Sequence, residues 1–243
     1  MLDRAVHPVE EPASPAREAR AMRWPFGSNR QLAWSFATIA GRMVVMGVAL
    51  FGVLRPLLTR GERPRSGRPA ELVEDLALTL LAIGFAYVFL GRVARASWSD
   101  LGFSRERLGR NLALGVLTFA LGLVYIAVRL RAQGDLAEAV ATFRAYTGGQ
   151  RLAMLLVAIH VIFGEEMLFR GYLQPGLRAR FSAPIAIGVG AIVFAAYHAD
   201  FSPAGFLGHL FWGVAWGIAR EKSGSTIPSS VAHFLNWSVL GWI

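Results

Sequence analysis

An all-α, polytopic membrane bundle is the fold this sequence predicts, and three observations carry that expectation. Of the 243 residues, 54% are hydrophobic and only 17% charged, and the mean hydropathy is +0.44; an ordinary soluble domain is less apolar. The apolar residues recur in stretches close to the ~20 residues a helix needs to cross a bilayer, with short breaks between them. Charge concentrates in those breaks. It sums to +9, nearly all from arginine, and arginines between apolar runs suit anionic lipid headgroups as partners rather than nucleic acid. About seven to eight spanning helices are expected, with short interfacial helices between them. The absence of cysteine excludes a thiolate nucleophile, a thiolate metal site and any disulfide.

Residues 1–30 read as a disordered, basic cytoplasmic tail, rich in Pro and Arg and without the apolar core or cleavage site of a signal peptide. Residues 31–71 hold the first membrane segment and a basic loop. The apolar run Leu32 to Leu54 is interrupted by Arg42 and fits one long helix or two broken ones; Arg42 faces the bundle or snorkels. Arg55 to Arg68, with Pro56 and Pro64, is expected not to be helical throughout.

Residues 72–243 form the core. Leu72 to Phe89 starts with Glu74 and Asp75, carboxylates that suit a helix N-terminus. Trp98 to Arg110 reads as interfacial, Leu112 to Val128 as the third run, and Asp135 to Thr147 as a short amphipathic helix with Leu136, Val140 and Phe143 on one face. The fourth run starts near Leu152 and continues through its carboxylates, because only Gly171 weakens the helix before Pro175. Runs over Ile185–His198, Ala204–Ala219 and Ile227–Ile243 follow. Gly205, Gly208, Gly213 and Gly217 give the sixth run a face for close helix approach. With the N-terminus cytoplasmic, the loops around Arg178, Arg180, Arg220 and Lys222 also fall inside.

Three polar clusters interrupt these apolar runs: Glu165, Glu166 and Arg170; Phe194 and His198; His233 and Asn236. Ionisable groups at membrane depth are costly and mark functional sites. Glu166 and Arg170, four apart, fit an ion pair that braces the helix, whereas Glu165, rotated by about 100°, is free for chemistry. The turn after the fourth run lies near Phe181. Glu165 is 16 residues before it and His198 is 17 after it, so an antiparallel hairpin sets both at similar depth, roughly 25 Å from the turn.

A carboxylate, two imidazoles and an amide suffice for amide hydrolysis. Glu165 can take a proton from water with the help of His198, and His233 and Asn236 can donate to an oxyanion. The same Glu165, His198 and His233 could instead hold Zn²⁺. The alternatives of a metal-free site and a zinc site both stand, although no His-Glu-x-x-His helix is present. There is also no Gly-x-Ser-x-Gly elbow and no pair of intramembrane aspartates. His160 and His209 read as packing residues, with His209 able to reach the cavity.

At these residues the chain resembles the CPBP (Abi) family of intramembrane proteases, which includes the type II CAAX prenyl endopeptidases. The family pattern is EExxxR, FxxxH, then HxxxN or a similar polar residue; the first is met by Glu165-Glu166 to Arg170, the second by Phe194 to His198, and the third starts at His233. The resemblance covers about residues 72–240. It implies that Glu165 and His198 activate water, that His233 helps form the oxyanion site, and that the substrate is a membrane-associated, CAAX-like or lipidated peptide. The family's last polar residue falls here on Trp237, and Asn236 lies one position earlier. Two other functions fit intramembrane Glu and His: a proton-coupled transporter, disfavoured by the lack of internal repeats, and a non-catalytic immunity or scaffold protein on the same fold. The arginine-rich composition suits a GC-rich bacterial genome and hence an inner-membrane location.

Overall fold

The computed structural model describes residues 24–58 and 69–240. Most of the expected tail, and the basic loop beyond Leu58, lie outside the described residues. Among these residues every regular element is helical. They are α1 (Asn29–Leu58), α2 (Pro69–Val93), α3 (Leu108–Gln133), α4 (Leu136–Ala145), α5 (Gly148–Arg178), α6 (Ala183–Tyr197), α7 (Pro203–Ser223) and α8 (Ile227–Leu235, continued by the π-helical turn Asn236–Leu240).

Local chemistry sets the ends. Ser28 caps α1 by accepting from Gln31 N. Thr147 and Gln150 form a reciprocal capping box on α5, and Gly134, at φ +85°, stops α3. α1 is one continuous helix and carries on to Leu58 through Pro56. A π-helical stretch, Val48–Leu54, precedes that proline and relieves the clash its ring makes with the preceding turn. α2 starts at Pro69, before the expected Leu72, with Glu71 in its first turn. The segment expected at the interface divides: 98–107 is turns and bends, and helix resumes at Leu108.

Four helices, α1, α2, α3 and α5, are long and apolar enough to cross a membrane, so the protein is an integral membrane protein. That is fewer than the seven to eight spans read from the apolar runs. The shortfall has physical causes. α6 has 15 residues, about 22 Å against a hydrocarbon core of about 30 Å. α7 ends in Arg220, Glu221 and Lys222, and α8 has 9 α-helical residues before its π turn. Exposed Leu117, Leu121, Val124 and Val128 give α3 an outward apolar stripe.

α5 is the axis of the bundle. Its middle, Ile162–Leu173, is π-helical, and every residue from Gly164 to Leu173 is buried. The α6–α7 hairpin, the α3–α8 pair, α2 and α1 pack around it. Backbone carbonyls of the π segment take side chains from other helices: Gln31 Nε2 donates to Tyr172 O at 3.0 Å and Arg220 Nε to Arg170 O at 3.1 Å. Gln174 Nε2 donates to Gly217 O at 2.9 Å. The turn before α3 is pinned to the start of α8, where Thr226 N donates to Gly102 O at 3.0 Å and Thr226 Oγ1 to Leu101 O at 2.6 Å. Gly102 sits at φ +81°, and a Cβ there would lie 2.6 Å from Thr226 Oγ1, so both conformation and space demand glycine.

Candidate active site

Glu165 and Glu166 leave the buried π segment of α5 in different directions. Glu166 is 0% exposed. Its Oε1 lies 3.5 Å from Arg170 Nη1 and 3.0 Å from His233 Nδ1 on α8. The carboxylate thus braces Arg170 along its own helix and also orients an imidazole across the bundle. Arg170 donates to Gly213 O at 3.3 Å and lies 4.4 Å from the centre of the Phe194 ring. Phe194 packs edge-on against Phe169, His198 and Trp216 at 5.1, 4.6 and 5.7 Å. One buried aromatic ring therefore separates the ion pair from the histidine.

Glu165 is 7% exposed, and its Oε2 is buried without a hydrogen-bond partner. That oxygen lies 3.8 Å from His198 Nε2 and 3.9 Å from His233 Nε2. Both gaps are too long for a direct hydrogen bond. His198 caps α6 and is followed by Ala199 at φ +52°, so the short helix ends where the imidazole meets α5. In the turn that follows, Asp200 accepts from the Ser202 hydroxyl and backbone N, which holds its carboxyl below the usual carboxylate range.

Hydrogen bonds fix the tautomers. His198 Nδ1 is 2.8 Å from Phe194 O; a carbonyl only accepts, so Nδ1 carries the proton and Nε2 presents a lone pair toward Glu165. His233 Nδ1 donates to Glu166, and its Nε2 accepts from Trp237 Nε1–H at 3.2 Å. Both nitrogens of His233 are engaged, and Trp216 stacks on its ring at 3.7 Å. His209, on α7, stacks on His198 at 3.9 Å.

The structure brings Glu165, His198 and His233 together, with Glu166, Arg170 and Phe194 packed behind them. It gives Asn236 no hydrogen bond to this group; Asn236 Oδ1 is buried without a partner. Trp237, one residue on, makes the contact instead. Trp216, His160 and Arg42 are further members that the sequence did not assign to the site. Arg42 was visible as a charge inside an apolar run, but its partners were not.

Residues 147–239 match the Rce1-like family of type II CAAX prenyl endopeptidases. The resemblance read from the motifs is thereby borne out, over the segment that holds α5 to α8 and all three polar clusters. The match is a similarity of that segment, less than half of the chain, to a family of membrane endopeptidases; α1 to α4 lie outside it. No curated protein and no solved structure matches the chain.

A zinc ion was one sequence expectation at Glu165, His198 and His233. The donor set does not fit it. Zinc needs a free imidazole lone pair, and that of His233 is taken by the Trp237 N–H. Glu165 and His198 alone remain as free donors. Among the described residues no group of three or more His, Cys, Asp or Glu is arranged to hold a metal.

Proposed function

We propose that the protein is an intramembrane endopeptidase that hydrolyses a peptide bond near the C-terminus of a membrane-associated, CAAX-like or lipidated substrate. The observation that carries this reading is the unpartnered Glu165 Oε2, facing two imidazoles across gaps of 3.8 and 3.9 Å. A water there donates one hydrogen to Glu165 and the other to His198 Nε2. As its oxygen attacks the carbonyl carbon, Glu165 takes the proton as general base. The carbonyl π bond opens to an oxyanion. Collapse re-forms the carbonyl and breaks the C–N bond, and the proton held by Glu165 passes to the leaving amine. No metal enters these steps.

On the oxyanion side the donors are Asn236 and Trp237; His233, whose Nδ1–H goes to Glu166 and whose Nε2 accepts from the indole, acts there by positioning Trp237. Trp237 Nε1–H is a donor already in contact with His233 and supports a role for the indole at the position where the family carries a polar residue. Burial makes such donors strong, because little water competes with them. Glu166 and Arg170 hold His233 in its tautomer, and Phe194 fixes His198. The end of α6, short of the far membrane face, gives water a route to the site; non-helical backbone at membrane depth is tolerated where it lines such a cavity. In this reading α6, α7 and α8 also cross or enter the membrane, giving seven spans, with the N-terminus cytoplasmic, anionic lipids around the basic loops, and the bacterial inner membrane as the location.

The test is release of a tripeptide from a farnesylated CAAX peptide by purified protein in lipid nanodiscs, read by mass spectrometry. Glu165→Gln and His198→Ala should each lower the rate by about 10²–10⁴. Undiminished cleavage by Glu165→Gln would reject Glu165 as the base.

A further inference from the structure

Beyond the matched segment, α1 delivers a charge to the same site. α1 runs antiparallel to α5: a Cβ on Gly176 would touch Gln31, and a Cβ on Gly164 would lie 2.0 Å from Arg42 Nη2. Eleven residues along α1 thus match twelve residues back along α5. Gly164 leaves the space in which the Arg42 guanidinium lies against the backbone immediately before Glu165.

Arg42 is 1% exposed. Its Nη2 meets His160 Nε2 at 2.6 Å, and its Cζ lies 5.2 Å from the Tyr197 ring centre. Nε and Nη1 are buried with no hydrogen-bond partner, and among the described residues no carboxylate comes within ion-pair distance. The other buried arginine of the site, Arg170, has Glu166. A buried cation without a direct ion pair is costly; the carboxylate that acts on Arg42 is Glu165, beyond ion-pair distance and with its own Oε2 unpartnered.

We propose that Arg42 anchors the C-terminal carboxylate of the peptide that enters this site. The proposal rests on the endopeptidase reading and adds to it the group that fixes the end of the substrate. A guanidinium carries five N–H bonds, of which His160 takes one on Nη2. Whichever Nη2 hydrogen that is, one two-pronged edge of the guanidinium keeps both of its hydrogens. Such an edge matches a carboxylate, which accepts both, better than a single carbonyl. The anchor is also near the chemistry. Gly164 and Glu165 are consecutive, with Cα atoms about 3.8 Å apart, so the guanidinium lies beside the residue proposed as the base. An anchored carboxylate would therefore set the cut a few residues from the chain end.

The test is binding, so it needs no turnover. The probes are the tripeptide Val-Ile-Met as the free acid and as the C-terminal carboxamide, titrated into full-length protein in detergent, for wild type, Arg42→Met and Arg42→Lys. Wild type should bind the acid roughly ten- to a hundredfold more tightly than the amide, the range for a charge-assisted hydrogen bond. Arg42→Met should abolish that preference, and Arg42→Lys should keep part of it. Equal binding of acid and amide by wild type, a preference that survives Arg42→Met, or no binding of either peptide overturns the proposal. If Arg42→Met does not fold, the wild-type comparison and Arg42→Lys still decide. Acid-selective binding without cleavage of any peptide would leave the anchor and remove the endopeptidase; cleavage indifferent to amidation would do the reverse.

Discussion

Glu166 offers a quantitative perturbation, because one carboxylate oxygen serves two partners. Its Oε1 holds Arg170 at 3.5 Å and His233 at 3.0 Å, and both partners are buried. Glu166→Ala leaves the guanidinium with Gly213 O and the Phe194 ring, neither of which carries a negative charge. Breaking a buried pair in this way costs about 3–5 kcal/mol. Arg170→Met should cost a similar amount, because it strands the carboxylate. The double variant removes both charges. What remains lost is chiefly the acceptor for His233 Nδ1, about 1–3 kcal/mol. The double variant should therefore be more stable than either single one, with a coupling of about 3 kcal/mol or more. Equilibrium unfolding in mixed micelles, followed by circular dichroism, measures all three. If the two single losses simply add, Glu166 and Arg170 do not act as a pair and the brace is wrong.

Gly164→Ala sets a Cβ 2.0 Å from Arg42 Nη2 and should cost about 1–3 kcal/mol through overpacking, read as a lowered Tm, whereas Gly188→Ala, with nothing within 4 Å, should stabilise slightly as a helical alanine does. Trp237→Phe keeps the ring but removes the N–H that reaches His233; kcat should fall by about 10² with little change in KM, and Trp237→Asn should recover part of it. Cleavage should be insensitive to 1,10-phenanthroline, since the His233 lone pair is occupied; loss of activity restored by added zinc would contradict that.

The helices were legible because each is an apolar run long enough to see, and the depth match of Glu165 with His198 was legible because it needs only the rise per residue. Apolar run length alone does not separate a spanning helix from a shorter one: α6 is as apolar as any run yet has 15 residues, and charged residues close α7. Pro56 suggested a break that the π-helical stretch before it avoids. At the site, the four-residue pairing of Glu166 with Arg170 could be read from spacing alone. The contact of Glu166 with His233 could not, since α5 and α8 are far apart in sequence and only packing sets their rotation. Trp237 looked like a missing polar residue, although an indole N–H donates as an amide does. Arg42 stood out as a charge among apolar neighbours, while His160, its partner, read only as a packing residue and Gly164 carried no signal of its own.

The central claim is that Glu165 and His198 act on one water. The most direct measurement is a double-mutant cycle on kcat/KM with Glu165→Gln and His198→Gln. If both groups hold the same water, either change alone should cost nearly as much as the two together. Two losses that multiply independently would mean that the two side chains serve separate steps, and the shared-water site would be wrong.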